Sequence, residues 1–298
     1  MAETVVIQPG PATSPRELAE AHGLTVAGVR PRLLAYTSQL WAYRHFTVAY
    51  ANAKLAATYS TARLGQLWQV LTPLTNAAVY YLIFGVILNT RGGVDNFIAY
   101  LCTGLFVFSY TQAVVQQATA SISGNLGLIR SLHFPRACLP IAVLLTQLRS
   151  LVMAMVVLVG IVLVTGEPIT VEWFLLIPAL GLQTLFNAGL ALTVARLGAR
   201  LTDIKQVMPF VMRTWMYASG VLYSVENFER YLPPVATAIV EANPLLVYIE
   251  LARYALLEGA PLASPLWQLW AFAVGWAILV GLGGYIAFWR GERDYGRG

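Results

Sequence analysis

Long apolar runs alternate with short polar stretches along most of the chain. Six runs of roughly 20 residues occur, at about 67–89, 97–118, 139–165, 173–196, 206–225 and 266–289. A helix of roughly 20 apolar residues crosses the hydrocarbon core of a bilayer, which is about 30 Å thick. The pattern predicts an all-α integral membrane protein with six transmembrane helices.

Residues 33–66 follow a different pattern, that of a helix with one apolar face. The spacing of three and four residues joins Leu33, Tyr36, Leu40, Tyr43, Thr47 and Tyr50. Polar side chains interrupt it elsewhere, and Trp41 and Val48 lie off this face. We predict an amphipathic helix at the level of the lipid headgroups. A soluble helix packed on a cytoplasmic partner is the alternative.

Two further segments differ from the six runs. Residues 1–32 contain no apolar stretch of signal-peptide length and are predicted to be a disordered cytoplasmic tail. Residues 226–264 are apolar but are broken by Pro233-Pro234 and Asn243-Pro244, so that neither piece is long enough to cross. They predict short re-entrant or interfacial helices that form an outer cap. The remainder, 67–298, is the six-span domain.

The composition and the charge distribution agree with a membrane protein. Only 11% of residues are charged and 58% are hydrophobic, whereas soluble domains carry about 25% charge. Fourteen of the nineteen Arg and Lys residues fall on one side of the six predicted spans. The positive-inside rule then predicts that both termini are cytoplasmic. The protein is expected in the plasma membrane, in contact with lipid, and the net charge of +5 does not indicate nucleic-acid binding.

The segment 121–140, between the second and third runs, is short, basic and rich in turn residues. It carries Arg130, His133 and Arg136 and no acid. Phe134 precedes Pro135 and is therefore disfavoured in helical conformation, which ends the helical turn before it. We predict a rigid cytoplasmic coupling loop on which a soluble partner could push. An ordinary positive-inside connector is the alternative.

No constellation of side chains indicates an enzyme. The three histidines are scattered, the predicted spans contain no clear carboxylate pair, and neither Lys54 nor Lys205 lies in a GxxxxGK[ST] motif. The sequence predicts no catalytic residue, no metal site and no cofactor in this chain. ATP and Mg²⁺, if they are used, are expected on a partner subunit.

Two arginines, Arg149 and Arg213, fall inside predicted spans. Charge at membrane depth is costly and usually faces a cavity or a partner. Arg149 lies near the predicted midplane, and the spans offer it no acid. A ligand phosphate is one possible partner, and backbone carbonyls, water or a second subunit are equally good ones.

Aromatic residues are frequent in the outer halves of several spans. They predict either an interfacial aromatic belt or a channel whose flat rings stack on sugars. The candidate channel residues, including the two arginines, are Tyr80, Tyr81, Phe84, Tyr100, Phe106, Tyr110, Arg149, Arg213, Trp215 and Tyr217.

Several short motifs occur together in a fixed order. They are LGQLWQVLTP at 64–73, LIR and FPR within 128–136, Ala195-Arg196 with Asp203-Ile204-Lys205, and Asn243-Pro244-Leu245 followed by Arg253 and Gly259. With these motifs the chain resembles the permease subunits of type-2 ATP-binding-cassette exporters. Among these it is similar to the polysaccharide and polyol-phosphate export permeases, which include O-antigen, teichoic acid and actinobacterial galactan exporters.

The resemblance implies a homodimer that binds two copies of a nucleotide-binding ATPase subunit. It implies that the residues coupled to the ATPase are Leu128, Arg130, Leu132, His133, Phe134, Pro135 and Arg136. It also implies that segment 33–66 is a gate helix, with the gate residues Trp41, Tyr43, Arg44, Lys54 and Arg63.

The expected function is export of a lipid-linked polysaccharide from the cytoplasm across the plasma membrane, with ATP hydrolysed by the separate subunit. The closest alternatives are a type-2 exporter of a small drug or lipid and an exporter of a teichoic-acid polymer. A membrane glycosyltransferase or phosphatase is disfavoured by the missing acidic cluster. A channel would conduct without any ATPase.

Overall fold

The structure, a computed structural model, describes residues 32–59, 67–87, 96–201, 203–223, 233–292 and 295. Every regular element in these ranges is helical, which confirms the predicted fold class. We number the α-helices α1 Leu33–Ala42, α2 Arg44–Tyr59, α3 Trp68–Tyr80, α4 Phe97–Thr119, α5 Leu126–Ser131, α6 Cys138–Val164, α7 Leu176–Arg200, α8 Ile204–Tyr217, α9 Pro234–Glu241, α10 Pro244–Leu256 and α11 Leu266–Arg290.

Five helical segments are long and apolar enough to cross a membrane. They are Val70–Ile87, Phe97–Thr119, Cys138–Val164, Val171–Arg200 and Leu266–Arg290. The first joins α3 to a π-helical stretch, and the fourth joins a 3-10 turn to α7. These segments correspond to the first, second, third, fourth and sixth predicted spans. We call the two ends of the bundle the Arg136 end and the Glu167 end.

The predicted fifth span, 206–225, is not one continuous helix. Helix α8 has 14 residues and ends at Tyr217, so it is about 21 Å long and shorter than the hydrocarbon core. The chain then turns, and Gly220 adopts a positive φ of 60°. Within the described ranges, a sixth crossing requires that α9 and α10, which meet at 63°, form one broken span, and the same bent pair also fits a re-entrant loop.

Helix α10 lies in the centre of the bundle. Eleven of its thirteen residues are buried, and it contacts α4, α7 and α11. Asn243 starts the helix, because its side chain accepts a hydrogen bond of 3.1 Å from the Leu245 amide, and Pro244 suits the first turn. The burial of α10 was not predicted, and the outer cap of re-entrant or interfacial helices over 226–264 stays a prediction, of which 226–232 lie outside the described residues.

The predicted helix over 33–66 is two helices, which meet at Tyr43. Tyr36 and Thr47, both on the predicted apolar face, are buried, whereas Trp41, off that face, is 70% exposed. Helix α2 packs along α6, and the Thr146 hydroxyl lies 3.4 Å from the Ala51 carbonyl oxygen. Residues 60–66, including the predicted gate residue Arg63, lie outside the described part of the chain.

Helices α7 and α11 make the most extensive contact between helices in the described part of the chain. Two glycines allow it, because a Cβ atom on Gly189 would overlap the Val280 carbonyl and one on Gly284 would overlap the Gly189 carbonyl. Small residues let helix backbones approach closely in membranes, where burial of apolar side chains adds little.

We predict that Gly284→Ala separates α7 from α11 and lowers the stability of the folded protein. Overpacking costs about 1–3 kcal/mol, and here the overlap is with backbone. The thermal unfolding midpoint in detergent measures the effect. Gly283→Ala is the matched control, since a Cβ there meets no atom within 4 Å. Equal midpoints for the two variants would contradict this account of the contact.

Candidate functional site

The connection between α4 and α6 at the Arg136 end is compactly folded. A 3-10 turn at Ser123–Asn125 leads directly into α5. The Asn125 amide donates to the Ser121 carbonyl at 2.7 Å, and its oxygen accepts from the Tyr50 hydroxyl at 2.7 Å. The predicted coupling loop is thus one or two helical turns that are tied to their neighbours.

Helices α1 and α2 hold the second half of this loop. The Tyr43 hydroxyl donates to the His133 carbonyl at 3.0 Å. The Phe134 ring is half-buried and packs on Phe46, with 4.9 Å between ring centroids. Pro135 is buried and Leu128 is partly buried, so these predicted coupling residues pack within the chain.

Other predicted coupling residues face outwards. Arg130 and His133 are exposed, and the Leu132 side chain is 49% exposed. Together they offer an apolar group flanked by basic ones at the surface of the bundle. This arrangement suits contact with an acidic partner that has an apolar cleft.

One carboxylate, Glu292, joins the loop to both termini of the described chain. It accepts hydrogen bonds from the Tyr36 hydroxyl at 2.8 Å and from the Arg136 amide at 2.9 Å. The Arg136 guanidinium also donates to the Glu292 carbonyl oxygen. Burial raises the pKa of Glu292, and burial next to this carboxylate raises the pKa of Tyr36. Sequence reasoning missed Glu292, because a lone acid after the last span carries no motif.

Among the predicted gate residues that the structure describes, Trp41, Tyr43 and Arg44 are exposed. The Arg44 guanidinium lies 5.2 Å from the centre of the Trp41 ring and donates to the Trp41 carbonyl at 3.1 Å. Lys54 is half-buried, and burial lowers the pKa of its ammonium group. Neither the contact between Arg44 and Trp41 nor the half-buried Lys54 identifies a ligand.

Arg253 is the most unusual side chain within the bundle, because it is an arginine with no exposed surface. Its guanidinium donates to the carbonyls of Tyr100, Gly220 and Val221 at 3.3, 2.9 and 3.0 Å. It also lies 3.4 Å from the centre of the Tyr100 ring. A Cβ on Gly104 would stand 2.7 Å from the guanidinium, so the glycine makes room for it.

Asn243, at the other end of α10, binds the same turn that follows α8. Its amide nitrogen donates to the Ala218 carbonyl at 2.9 Å and lies 3.1 Å from the Ser219 hydroxyl. Its oxygen accepts from the Trp215 indole at 2.9 Å. Asn243 and Arg253 together supply partners for the backbone that follows α8. These hydrogen bonds to one stretch of backbone explain why the sequence motif includes both Asn243 and Arg253.

The sequence pattern places Arg253 in the outer segment 226–264 and does not predict its burial. In the structure Arg253 lies in α10 among buried side chains. The buried carbonyl groups of the turn after α8 are what retain it.

Three predicted channel aromatics are packed inside the helical bundle. Tyr100, Phe106 and Tyr110 are buried, and the Tyr110 hydroxyl donates to Thr184 at 3.2 Å. Phe106 and Tyr110 border a small cleft of about 240 Å³ that Trp68 also lines. Tyr100 contacts Arg253 rather than an open channel, which corrects the expectation for that residue.

The other aromatic candidates fall into two groups. Tyr80, Tyr81 and Trp215 are partly buried against the core. The Phe84 side chain lies outside the part of the chain that the structure describes. Tyr217 is 50% exposed on the outward face of α8.

The outward face of α8 combines charge with aromatic rings. Arg213 is exposed between Phe210, which is 71% exposed, and Tyr217, whereas Met212 and Met216 on the opposite face are buried. Arg213 has no hydrogen bond or ion pair to other described residues, and the same holds for the half-buried Arg149 on α6. Because an arginine that faces lipid is costly, this face of α8 needs a polar environment or a partner.

Metal chemistry has no support in the described ranges, where no group of three His, Cys, Asp or Glu residues could hold an ion. The described residues instead form an exposed apolar and basic surface at the Arg136 end and an outward face of α8 that combines an arginine with aromatic rings.

Comparison with known proteins defines the class. The ABC-2 type transporter family profile matches residues 47–257, more than two thirds of the 298 residues. The chain belongs to this family and is a multi-pass membrane protein.

Individual relatives are similar at modest identity. The chain is 24% identical to the O-antigen export system permease protein RfbA of Klebsiella pneumoniae over 213 residues, which is 71% of this chain and 80% of that protein. It is 24% identical to RfbA of Myxococcus xanthus over 243 residues, 81% and 92% of the two chains. It is also 24% identical to the polysialic acid transport protein KpsM of Escherichia coli over 198 residues, 66% and 75%.

We predict that Arg253→Ala destabilises the fold by several kcal/mol, because each buried carbonyl left without a partner costs about 1–3 kcal/mol. Arg253→Lys should be intermediate, since an ammonium cannot reproduce the guanidinium fork. The readout is the monodisperse fraction in detergent and its unfolding midpoint. Arg290→Ala, at an exposed arginine, is the control. An Arg253→Ala variant as stable as this control would show that the contacts are dispensable.

Proposed function

We propose that the chain is the membrane permease of an ATP-driven exporter, which moves a lipid-linked polysaccharide from the cytoplasm across the plasma membrane. In this proposal the active unit is a homodimer with two copies of a separate ATPase subunit. ATP and Mg²⁺ are bound by that subunit. The family and the names of the relatives RfbA and KpsM support both the class and the cargo.

The observation that carries the proposal is the surface at the Arg136 end. The loop between α4 and α6 is short and is fixed to α1, α2 and the end of α11 by the contacts described above. A displacement of the loop is therefore passed on to these helices and is not taken up within the loop. Its exposed residues, Arg130, Leu132 and His133, provide the contact area for an ATPase.

Charge distribution supports a cytoplasmic Arg136 end. This end holds Arg130, Arg196, Lys205 and Arg290, whereas Glu167, Glu172 and Glu258 lie at the opposite end. Basic residues are retained on the cytoplasmic side of membranes.

The outward face of α8 supports the path of the cargo. If two protomers bring these faces together, Arg213 avoids lipid and lines a shared polar channel. Its guanidinium suits the phosphate of a lipid carrier. The exposed rings of Phe210 and Tyr217 offer flat surfaces for sugars, and Arg149 is a second candidate for the phosphate.

We predict that Leu132→Asp releases the ATPase from the membrane complex. Losing an anchor in the centre of an interface costs about 2 kcal/mol, roughly thirtyfold in affinity. Co-purification of the partner ATPase with tagged permease measures it, and the permease alone should hydrolyse no ATP.

The matched control is Ile169→Asp, which changes an exposed apolar residue near the Glu167 end. That variant should retain the ATPase. Full retention by Leu132→Asp at normal protein level would make the loop a simple connector.

A further inference from the structure

Three segments that are distant in sequence meet at Glu292. Its two carboxylate oxygens have different partners: one accepts from the Tyr36 hydroxyl on α1, the other from the Arg136 amide in the loop before α6. Glu292 itself follows α11 by two residues. Both hydrogen bonds are between groups more than 150 positions apart, so the contact is tertiary and not local.

A separate apolar cluster surrounds these hydrogen bonds. It consists of buried residues from α1, the α4–α6 connection, α6, α7 and the end of α11: Tyr36, Ile122, Ile129, Ala137, Leu139, Leu192, Ala195, Phe288 and Tyr295. The cluster is distinct from the main core of the bundle. The Arg136 end is therefore packed as a unit of its own, and Glu292 is its polar connection.

The unit leads into the most closely packed pair of helices. Glu292 continues α11, and α11 contacts α7 through Gly284 and Gly189 with no room for a side chain between the backbones. The Thr37 and Tyr285 hydroxyls, 2.7 Å apart, add a second link between α1 and α11. A displacement of the loop at Arg136 has a short, stiff route to α1 and to the α7–α11 pair.

We propose that Glu292 is a positioning residue for transport, which makes the α4–α6 loop, α1 and α11 move together when the loop is displaced. It acts through Arg136 and Tyr36 and touches neither ATP nor cargo. This inference rests on the proposed function for the source of the displacement, which is the ATPase bound at the loop. The contact itself is independent of that function.

The test uses the complex of permease and ATPase in proteoliposomes with a lipid-linked glycan. The measured quantity is the amount of glycan transported per ATP hydrolysed. In Glu292→Gln the amide NH₂ cannot accept a hydrogen bond, so one of the two donors loses its partner. The ratio should fall at least about fivefold, the lower end of coupling between distant sites, while ATP hydrolysis continues.

Tyr36→Phe removes the hydroxyl that donates to Glu292 and keeps the buried ring. It therefore tests the same contact with less risk of a folding defect. Its ratio should also fall. The double variant should be no worse than the more affected single variant, because without the Tyr36 hydroxyl the remaining amide oxygen at position 292 can still accept from the Arg136 amide. Glu258→Gln, at an exposed carboxylate near the Glu167 end, should match wild type.

A second readout does not depend on transport. In vesicles that contain the permease alone, trypsin should cleave after Arg136 faster in Glu292→Gln than in wild type, with cleavage after the exposed Arg200 unchanged. Failure of wild type to transport would contradict the proposed function but leave this comparison valid.

Two results would overturn the role of Glu292. One is an unchanged ratio of glycan to ATP together with unchanged cleavage after Arg136. The other is an equal fall in transport and ATP hydrolysis, which leaves the ratio constant and makes Glu292 a purely structural residue.

Discussion

The need to pair backbone groups at membrane depth governs the architecture. Helix α8 stops after about 21 Å, and the turn that follows it has backbone carbonyls that are buried inside the bundle. Irregular backbone is tolerated inside a membrane only when protein satisfies it. Arg253 and Asn243 do so from opposite ends of α10. This requirement explains why α10 lies in the core and why Gly104 has no side chain.

The same arrangement frees α8 for function. Its inner face packs on the core through Met212 and Met216, while its outer face carries Arg213 between aromatic rings. A straight, lipid-facing fifth span would have no reason to carry an arginine. Asn243, at the start of α10, holds the end of α8 through hydrogen bonds from the Trp215 indole and to the Ala218 carbonyl.

The sequence predicted what depends on local pattern. Helical class, five of the spans and the compact turn before Phe134 all follow from apolar length and proline chemistry. The sequence did not predict the features that depend on tertiary contacts. The burial of Arg253 was not predicted, because its carbonyl partners come from α4 and from the turn after α8, and no periodicity connects those segments. Glu292 was missed for the same reason, since Tyr36 and Arg136 are brought to it only by packing.

For the candidate channel residues, the sequence did not predict which side chains are buried and which are exposed. Aromatic content predicted a set of rings without distinguishing Tyr100, buried under a guanidinium, from Tyr217, which is half exposed. Which face of a helix points outwards depends on its neighbours, and α8 has few of them.

Transport of a lipid-linked polysaccharide into sealed proteoliposomes, by this chain together with its ATPase, tests the central claim most directly. The account predicts uptake that requires both the ATPase and hydrolysable ATP. Uptake by the chain alone, or by the complex with a non-hydrolysable nucleotide, would contradict it and indicate a channel.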